Sequence, residues 1–155
     1  MQSFVVDRDG WEHAEMVEAC RAVLSAAQGT AAEYRVDVPA VEADWPPEVL
    51  AAAEVLRAAA GQTGRVDKGG YARTGRLPVA ADETWAAFLV FAPWAYDATV
   101  WNDRGQPTVS LADESQSIVV HLEMSQVEHF ARAVRPARLV TETAWRKLVK
   151  ERRRR

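Results

Sequence analysis

Cysteine is nearly missing from this chain of 155 residues, and the single one, Cys20, excludes two classes of protein. No internal disulfide can form, and no cysteine-based zinc cluster can assemble within the chain. Apolar residues never run on long enough to make a membrane-spanning helix. The start of the chain lacks the basic segment and hydrophobic stretch of a secretory signal. We therefore expect a cytoplasmic protein that makes no membrane contact.

Motifs for common enzymatic chemistry are lacking as well. The chain has three histidines, but none belongs to HExxH or a similar metal-binding pattern, so we expect no metal site. Neither a dinucleotide-binding GxGxxG nor a nucleophile elbow is present. These absences favour a non-enzymatic protein without a cofactor.

Glycines cluster in one stretch, GQTGRVDKGGYARTGR, at positions 61–76. Gly64 and Gly69 have the spacing of a P-loop, but the lysine and hydroxyl residue that must follow are replaced by glycine and tyrosine. The stretch also follows a predicted helix instead of opening one, so the helix dipole has the wrong sign for a phosphate. We predict a flexible loop at about 61–78. A partner-binding or lid loop, and an anion site, are the alternatives for its cations, Arg65, Lys68, Arg73 and Arg76.

What is present describes an ordinary globular domain. Hydrophobic residues make up 48% and charged residues 26% of the chain, close to the averages for soluble proteins. The length suits one hydrophobic core, so we interpret residues 1–155 as a single domain. Its first half predicts a strand at 4–6, a helix over about 11–27, an alternating strand at 33–38 and a second long helix that begins around Pro46 and Pro47.

The stretch from 85 to 122 changes to short extended runs separated by turn residues. Short connections force neighbouring strands to be antiparallel. The four predicted strands are WAAFLVFA, YDATVW, TVSLA and SIVVHL. A third helix from Ser125, an edge strand ARLV and a last helix over TETAWRKLVKERRRR follow. The predicted fold is therefore α+β: a mainly antiparallel sheet of four to six strands built on this meander, packed against two long N-terminal helices, with short helices at the C-terminus.

Charge is distributed unevenly along the chain. Residues 135–155 carry nine lysines and arginines against two acids, whereas residues 1–134 carry ten against twenty acids. Clustered arginines can bind nucleic-acid phosphates, so the basic tail at about 150–155 makes a nucleic-acid-associated protein one alternative. The acidic body disfavours it, and cations at a helix C-terminus also simply complement the dipole. The residues of this alternative are Arg152, Arg153, Arg154 and Arg155.

A second alternative is an enzyme or small-ligand binder with a pocket between the sheet and the helices. Asp97 and His121 lie on predicted strands of the meander, and a carboxylate within hydrogen-bond reach of an imidazole could orient a general base. An ordinary solvent-facing sheet surface explains the same residues more simply.

Tryptophan is frequent, with six in the chain. If Trp94 and Trp101 are exposed beside Tyr96, they form an anchor patch for another protein, whereas core and rim packing is the plainer interpretation. These aromatic residues, the acidic body and the basic loop support the leading hypothesis, a protein-interaction module that acts as a regulator, adaptor or inhibitor of a partner protein. The other partner that we consider is a second copy of this chain, which would form a homodimer through an exposed strand edge.

Overall fold

A computed structural model describes residues 1–39, 44–66, 71–152 and 154. The strands in this part of the chain are β1 Gln2–Asp7, β2 Glu33–Val38, β3 Arg65–Val66, β4 Ala72–Arg73, β5 Leu77–Pro78, β6 Asp97–Trp101, β7 Pro107–Ala112, β8 Ser117–Leu122 and β9 Arg138–Thr141. The α-helices are α1 His13–Ala27, α2 Pro47–Thr63, α3 Asp82–Phe91, α4 Val127–Ala133 and α5 Glu142–Arg152. Short 3-10 segments, Ala92–Trp94 and Met124–Gln126, follow α3 and precede α4.

The strands form one antiparallel sheet in the order β3, β4, β2, β6, β7, β8, β1, β9, and β5 pairs with part of β2. The α+β fold with a mainly antiparallel sheet is therefore confirmed, but the sheet has nine strands in the described part of the chain, where four to six were predicted. The strand nearest the start of the sequence does not lie at an edge. β1 is inserted between β8 and β9, with Phe4 opposite Val120 on one side and Thr141 on the other.

Side-chain alternation gives the sheet one apolar face, which four helices cover. Tyr34, Val36, Val100 and Val109 project from it into a single hydrophobic cluster that includes residues of α1, α2, α3 and α4. The two long helices lie on the sheet as predicted, α1 against β7 and α2 against β2. α5 instead packs on β1 and β9 and contributes no residue to this cluster. None of the helices among the described residues has the length and apolarity required to cross a bilayer.

The predicted strand WAAFLVFA is wrong, because these residues belong to α3 and to the 3-10 segment after it. The buried aromatic residues of α3, Trp85, Phe88 and Phe91, recur every three positions, which is helical spacing. Acids in the first turn, Asp82 and Glu83, suit a helix N-terminus. The meander consequently has three strands, β6, β7 and β8.

The glycine-rich stretch contains more regular structure than the predicted flexible loop. Between positions 61 and 78, the described residues include the end of α2 and the short strands β3, β4 and β5, which pair with each other or with β2. Gly64 is needed for close packing, because a Cβ there would lie 1.9 Å from the backbone oxygen of Arg73. The turn expected at 67–70 lies outside the described residues.

The observed starts of α1, α2 and α4 lie within about two residues of the predicted ones. A capping box at the start of α1 joins Glu12 to Glu15. Pro46 occupies the N-cap position of α2. Glu123 and Gln126 form a second capping box, before the 3-10 segment that precedes α4. These shifts leave the order of elements unchanged, and the predicted edge strand and last helix correspond to β9 and α5.

Candidate functional site

Asp97 and His121 both project from the sheet face that lies opposite the four helices. Asp97 pairs with Arg35, whose Nη2 lies 3.4 Å from its Oδ2. His121 Nδ1 lies 2.9 Å from the hydroxyl oxygen of Ser3 on the neighbouring strand. Each side chain therefore has its own local partner.

The strand register separates these two side chains. Asp97 is opposite Ala112, which is opposite Ser117, and His121 lies four residues further along β8. The two positions are thus separated by two strand spacings across the sheet and four residues along it, which corresponds to a distance of about 16 Å. The base and orienting group considered for an enzyme are therefore not brought together. Partial burial lowers the pKa of His121 below its usual 6.5, although the charge of Glu142 opposes the shift.

Asp37 is the carboxylate that the sequence did not single out. Its Oδ1 accepts the backbone N–H of Asp97 at 2.7 Å, and Arg73 is its register partner on β4. It is only 4% exposed. Burial raises its pKa above the usual 3.8, the charge of Asp97 adds to the rise, and the hydrogen bond and Arg73 oppose it. Within the described ranges, no three carboxylate, imidazole or thiol side chains converge as metal ligands would.

We expect Asp37→Asn to be at least as stable as the wild type at pH 7. A raised pKa means that the folded state binds the proton more tightly than the unfolded chain. The contribution of Asp37 to stability is therefore complete below its ordinary pKa of 3.8 and is lost as the pH rises through the raised value. The asparagine oxygen still accepts the N–H of Asp97. Urea unfolding from pH 4 to 8 should show the advantage of the variant growing with pH.

Asp103→Asn, in the exposed β6–β7 turn, is the matched control, and its effect should not follow this pH profile. An advantage of Asp37→Asn that shrinks as the pH rises would contradict the raised pKa.

The three aromatic residues proposed for partner binding do not form one patch. Trp94 is half-buried and meets His13 of α1 edge to face at 4.5 Å. Trp101 is 7% exposed, with the Arg76 guanidinium 4.2 Å from its ring centroid. Tyr96, which is 43% exposed, lies at the opposite end of β6 from Trp101. The two tryptophans thus show core and rim packing.

The basic residues of the glycine-rich stretch also lie apart from one another. Arg73 lies beside Asp37 at one end of β2, whereas Arg76 lies at the other end, 3.4 Å from Glu33. Lys68 is outside the described residues, and of Arg65 only the backbone is described. Arg73 and Arg76 do not converge on a shared anion site.

Arg152, the first of the four tail arginines, has a structural role. Its two terminal nitrogens lie 2.9 and 3.1 Å from the carboxylate oxygens of Asp7, and it also pairs with Asp9. Arg138 approaches the same Asp7 carboxylate at 3.3 Å, and Asp7 is only 3% exposed. This group of four residues, which we call the Asp7 clamp, fixes α5 to β1. Arg154 is exposed, and Arg153 and Arg155 lie outside the described residues.

A concave surface lies beside the outer edge of β9. No strand in the described part of the chain pairs with this edge, because β9 ends the sheet. Next to it is an open groove of about 710 Å³. We call this the edge groove; it is lined by Ala131, Arg135, Pro136, Ala137, Arg138 and Leu139. The sequence predicted the edge strand but carried no signal for the groove, which forms only when α4 packs beside β9.

The edge groove combines an apolar floor with a cationic rim. Leu139 is half-buried against the core, and Ala131 and Pro136 add apolar surface. Arg135 is exposed and forms no ion pair with any described residue, while Arg138 is 60% exposed despite its contact with Asp7. Residues 135–137 also line a second cleft, of about 440 Å³, walled by Trp11, Glu15 and Glu18.

Comparison with known proteins gives no family model, curated protein or solved structure that matches this chain. The candidate sites therefore differ only in their geometry. The Asp97 and His121 side chains are apart, and the aromatic residues are dispersed. At the edge groove, by contrast, three features occur together: a strand edge that no described strand pairs with, a concave apolar floor, and a cation that forms no ion pair with a described residue.

Proposed function

We propose that this protein is a non-enzymatic protein-interaction module that binds an extended segment of a partner protein along β9. In this way it acts as a regulator, adaptor or inhibitor of that partner. The observation that carries the proposal is the open edge of β9 directly beside a concave groove. Both features are on the surface, and neither contributes to the main hydrophobic cluster except through Leu139 and Ala137.

Backbone hydrogen bonding supplies the first part of the expected affinity. In an antiparallel sheet, alternate residues of an edge strand direct their N–H and C=O groups away from the sheet. An incoming extended segment can pair with these groups, as in strand-addition complexes. β9 has only four residues, so the backbone contribution is small. The side-chain contacts in the edge groove must therefore supply most of the specificity.

Charge indicates the chemistry of the partner segment. Arg135 and Arg138 project at the N-terminal end of β9, so a carboxylate in the incoming segment would gain a charge-assisted hydrogen bond. A second copy of this chain fits less well, because residues 134–141 would offer the rim two more cations and no carboxylate. The proposed occupant is thus an acidic extended segment of another protein.

Selection from a phage-displayed library of random linear peptides tests this function. We expect the enriched sequences to share an acidic residue within a run of β-branched or aromatic residues. A synthetic peptide of that sequence should slow amide hydrogen exchange in Arg138–Thr141 and leave the β6–β7 turn unchanged. Peptides that protect another surface, or a library that yields no binder, would contradict the proposal.

Arg135→Glu is expected to weaken binding of the selected peptide on the order of tenfold, because it replaces an attraction with a repulsion. The fold should tolerate it, since Arg135 is exposed and unpaired among the described residues. Arg104→Glu, in the exposed β6–β7 turn, is the matched control and should leave affinity unchanged. Fluorescence anisotropy of the labelled peptide measures both. Equal losses in the two variants would show a general charge effect and count against the groove.

A further inference from the structure

The exposed side of α5 carries positive charge on a protein whose body is acidic. The helix rests on β1 and β9 through half-buried Trp145, Leu148 and Val149, and Arg152 turns inward to Asp7 and Asp9. None of the residues of α5 is fully buried. The inward side of the helix is therefore defined by these contacts, and the opposite side faces solvent.

Helix geometry places four cations on that outer side. At 3.6 residues per turn, positions 146, 147, 150 and 154 fall within an arc of about 100° opposite Trp145 and Arg152. Arg154 lies just past the end of α5 and continues its turn, since its N–H donates to the Glu151 carbonyl at 3.1 Å. We call this set the α5 stripe: Arg146, Lys147, Lys150 and Arg154.

Most of the α5 stripe is free to bind an external anion. Arg146 pairs with Glu142 one turn earlier. Lys147, Lys150 and Arg154 are exposed and form no ion pair within the ranges that the structure describes. Among the residues that the structure describes, acids therefore pair with only one of the four cations.

We propose that the α5 stripe binds the phosphate backbone of a nucleic acid without reading its sequence. Clustered exposed cations bind phosphates through release of condensed counterions, and no base-specific contact is required. The residue set differs from the tail arginines alone, because the Asp7 clamp removes Arg152 and the helix adds Arg146, Lys147 and Lys150.

Two observations favour a nucleic acid over an anionic membrane. The apolar side of α5 is docked on the sheet, so the helix cannot insert its tryptophan and leucine into a bilayer as an interfacial helix does. In addition, residues 1–134 carry ten cations against twenty acids, and a flat anionic plane would meet this acidic body as well as the stripe. One strand of phosphates can follow a single helix face and avoid the body.

Fluorescence anisotropy with a labelled random-sequence DNA duplex tests the proposal on the full chain. We expect binding at low salt that weakens steeply as salt is added. The slope of log affinity against log salt should correspond to roughly three or four phosphates, at about −0.9 for each contact. The double variant Lys147→Glu/Lys150→Glu should lose at least about tenfold in affinity at low salt. No binding of the wild type at low salt would overturn the proposal.

The matched control is Arg21→Glu/Arg104→Glu, which changes net charge by the same amount on other exposed surfaces. It should keep most of the wild-type affinity for the duplex. An equal loss in this control would show that net charge alone governs binding, and would reject the stripe as a site. Vesicles containing phosphatidylserine form a second arm, and stronger binding to them than to the duplex would overturn the choice of nucleic acid.

Discussion

Asp7→Ala is expected to lower the free energy of unfolding by about 2–4 kcal/mol, because it removes charge-assisted hydrogen bonds to two arginines at a buried position. The Asp7 carboxylate is 3% exposed and accepts from both Arg138 and Arg152. No residue of α5 is fully buried, so few apolar contacts would compensate for the loss. Urea unfolding measures the global effect. Amide exchange should show α5 opening well before the rest of the chain.

A double-mutant cycle separates the clamp from the general cost of each substitution. Asp7→Ala and Arg152→Ala should be coupled by about 1–3 kcal/mol, as expected for side chains in direct contact. Arg154→Ala, two positions further on, should leave stability unchanged because that side chain is exposed. Strictly additive effects of Asp7→Ala and Arg152→Ala would mean that the observed contact does not stabilise the protein.

Phe88→Ala should cost about 3–5 kcal/mol, the range measured when a large buried aromatic side chain is truncated. Phe88 has no exposed surface, and its ring centroid lies 4.5 Å from that of Tyr34 and 5.2 Å from that of Trp85. Its removal would leave a cavity where α3 meets β2. Thermal or urea unfolding checks the loss directly.

Leu89→Ala, the next residue along α3, is the matched control. Leu89 is only partly buried against the core, so we expect a smaller loss of about 1–2 kcal/mol. The contrast depends on α3 being a helix with Phe88 on its inner side. Equal losses at the two positions would imply a segment with both sides buried, as in the central strand that the sequence had suggested.

Segments in which apolar and polar residues alternate clearly were predicted correctly, whereas a segment that is apolar throughout was not. Glu33–Val38 was predicted with its observed bounds because apolar and polar residues alternate strictly there. The apolar run after Trp85 gave no such signal, because α3 packs against both α2 and the core. Past the first turn of this helix, Ala86 is the exposed residue, and it is itself apolar. When almost every position is apolar, periodicity cannot separate a buried helix from a buried strand.

The candidate sites depend on register and docking, which a single sequence does not contain. Asp37 looked like an ordinary solvent-facing residue until the pairing of β2 with β4 and β6 placed it beside Arg73 and Asp97. Arg152 and Arg154 look equivalent in the sequence. They differ in the structure because Asp7, 145 positions before Arg152, accepts hydrogen bonds from Arg152 and not from Arg154.

The position of β1 between β8 and β9 has a consequence for synthesis on the ribosome. Ser3 and His121 hydrogen-bond across β1 and β8 although they are 118 positions apart, and β9 is translated later still. The nascent chain therefore carries Phe4, Val5 and Val6 without strand partners while most of the protein is being made. Such exposed apolar strands attract other chains. Slow translation or premature termination before β9 should thus favour aggregation and recruitment of chaperones.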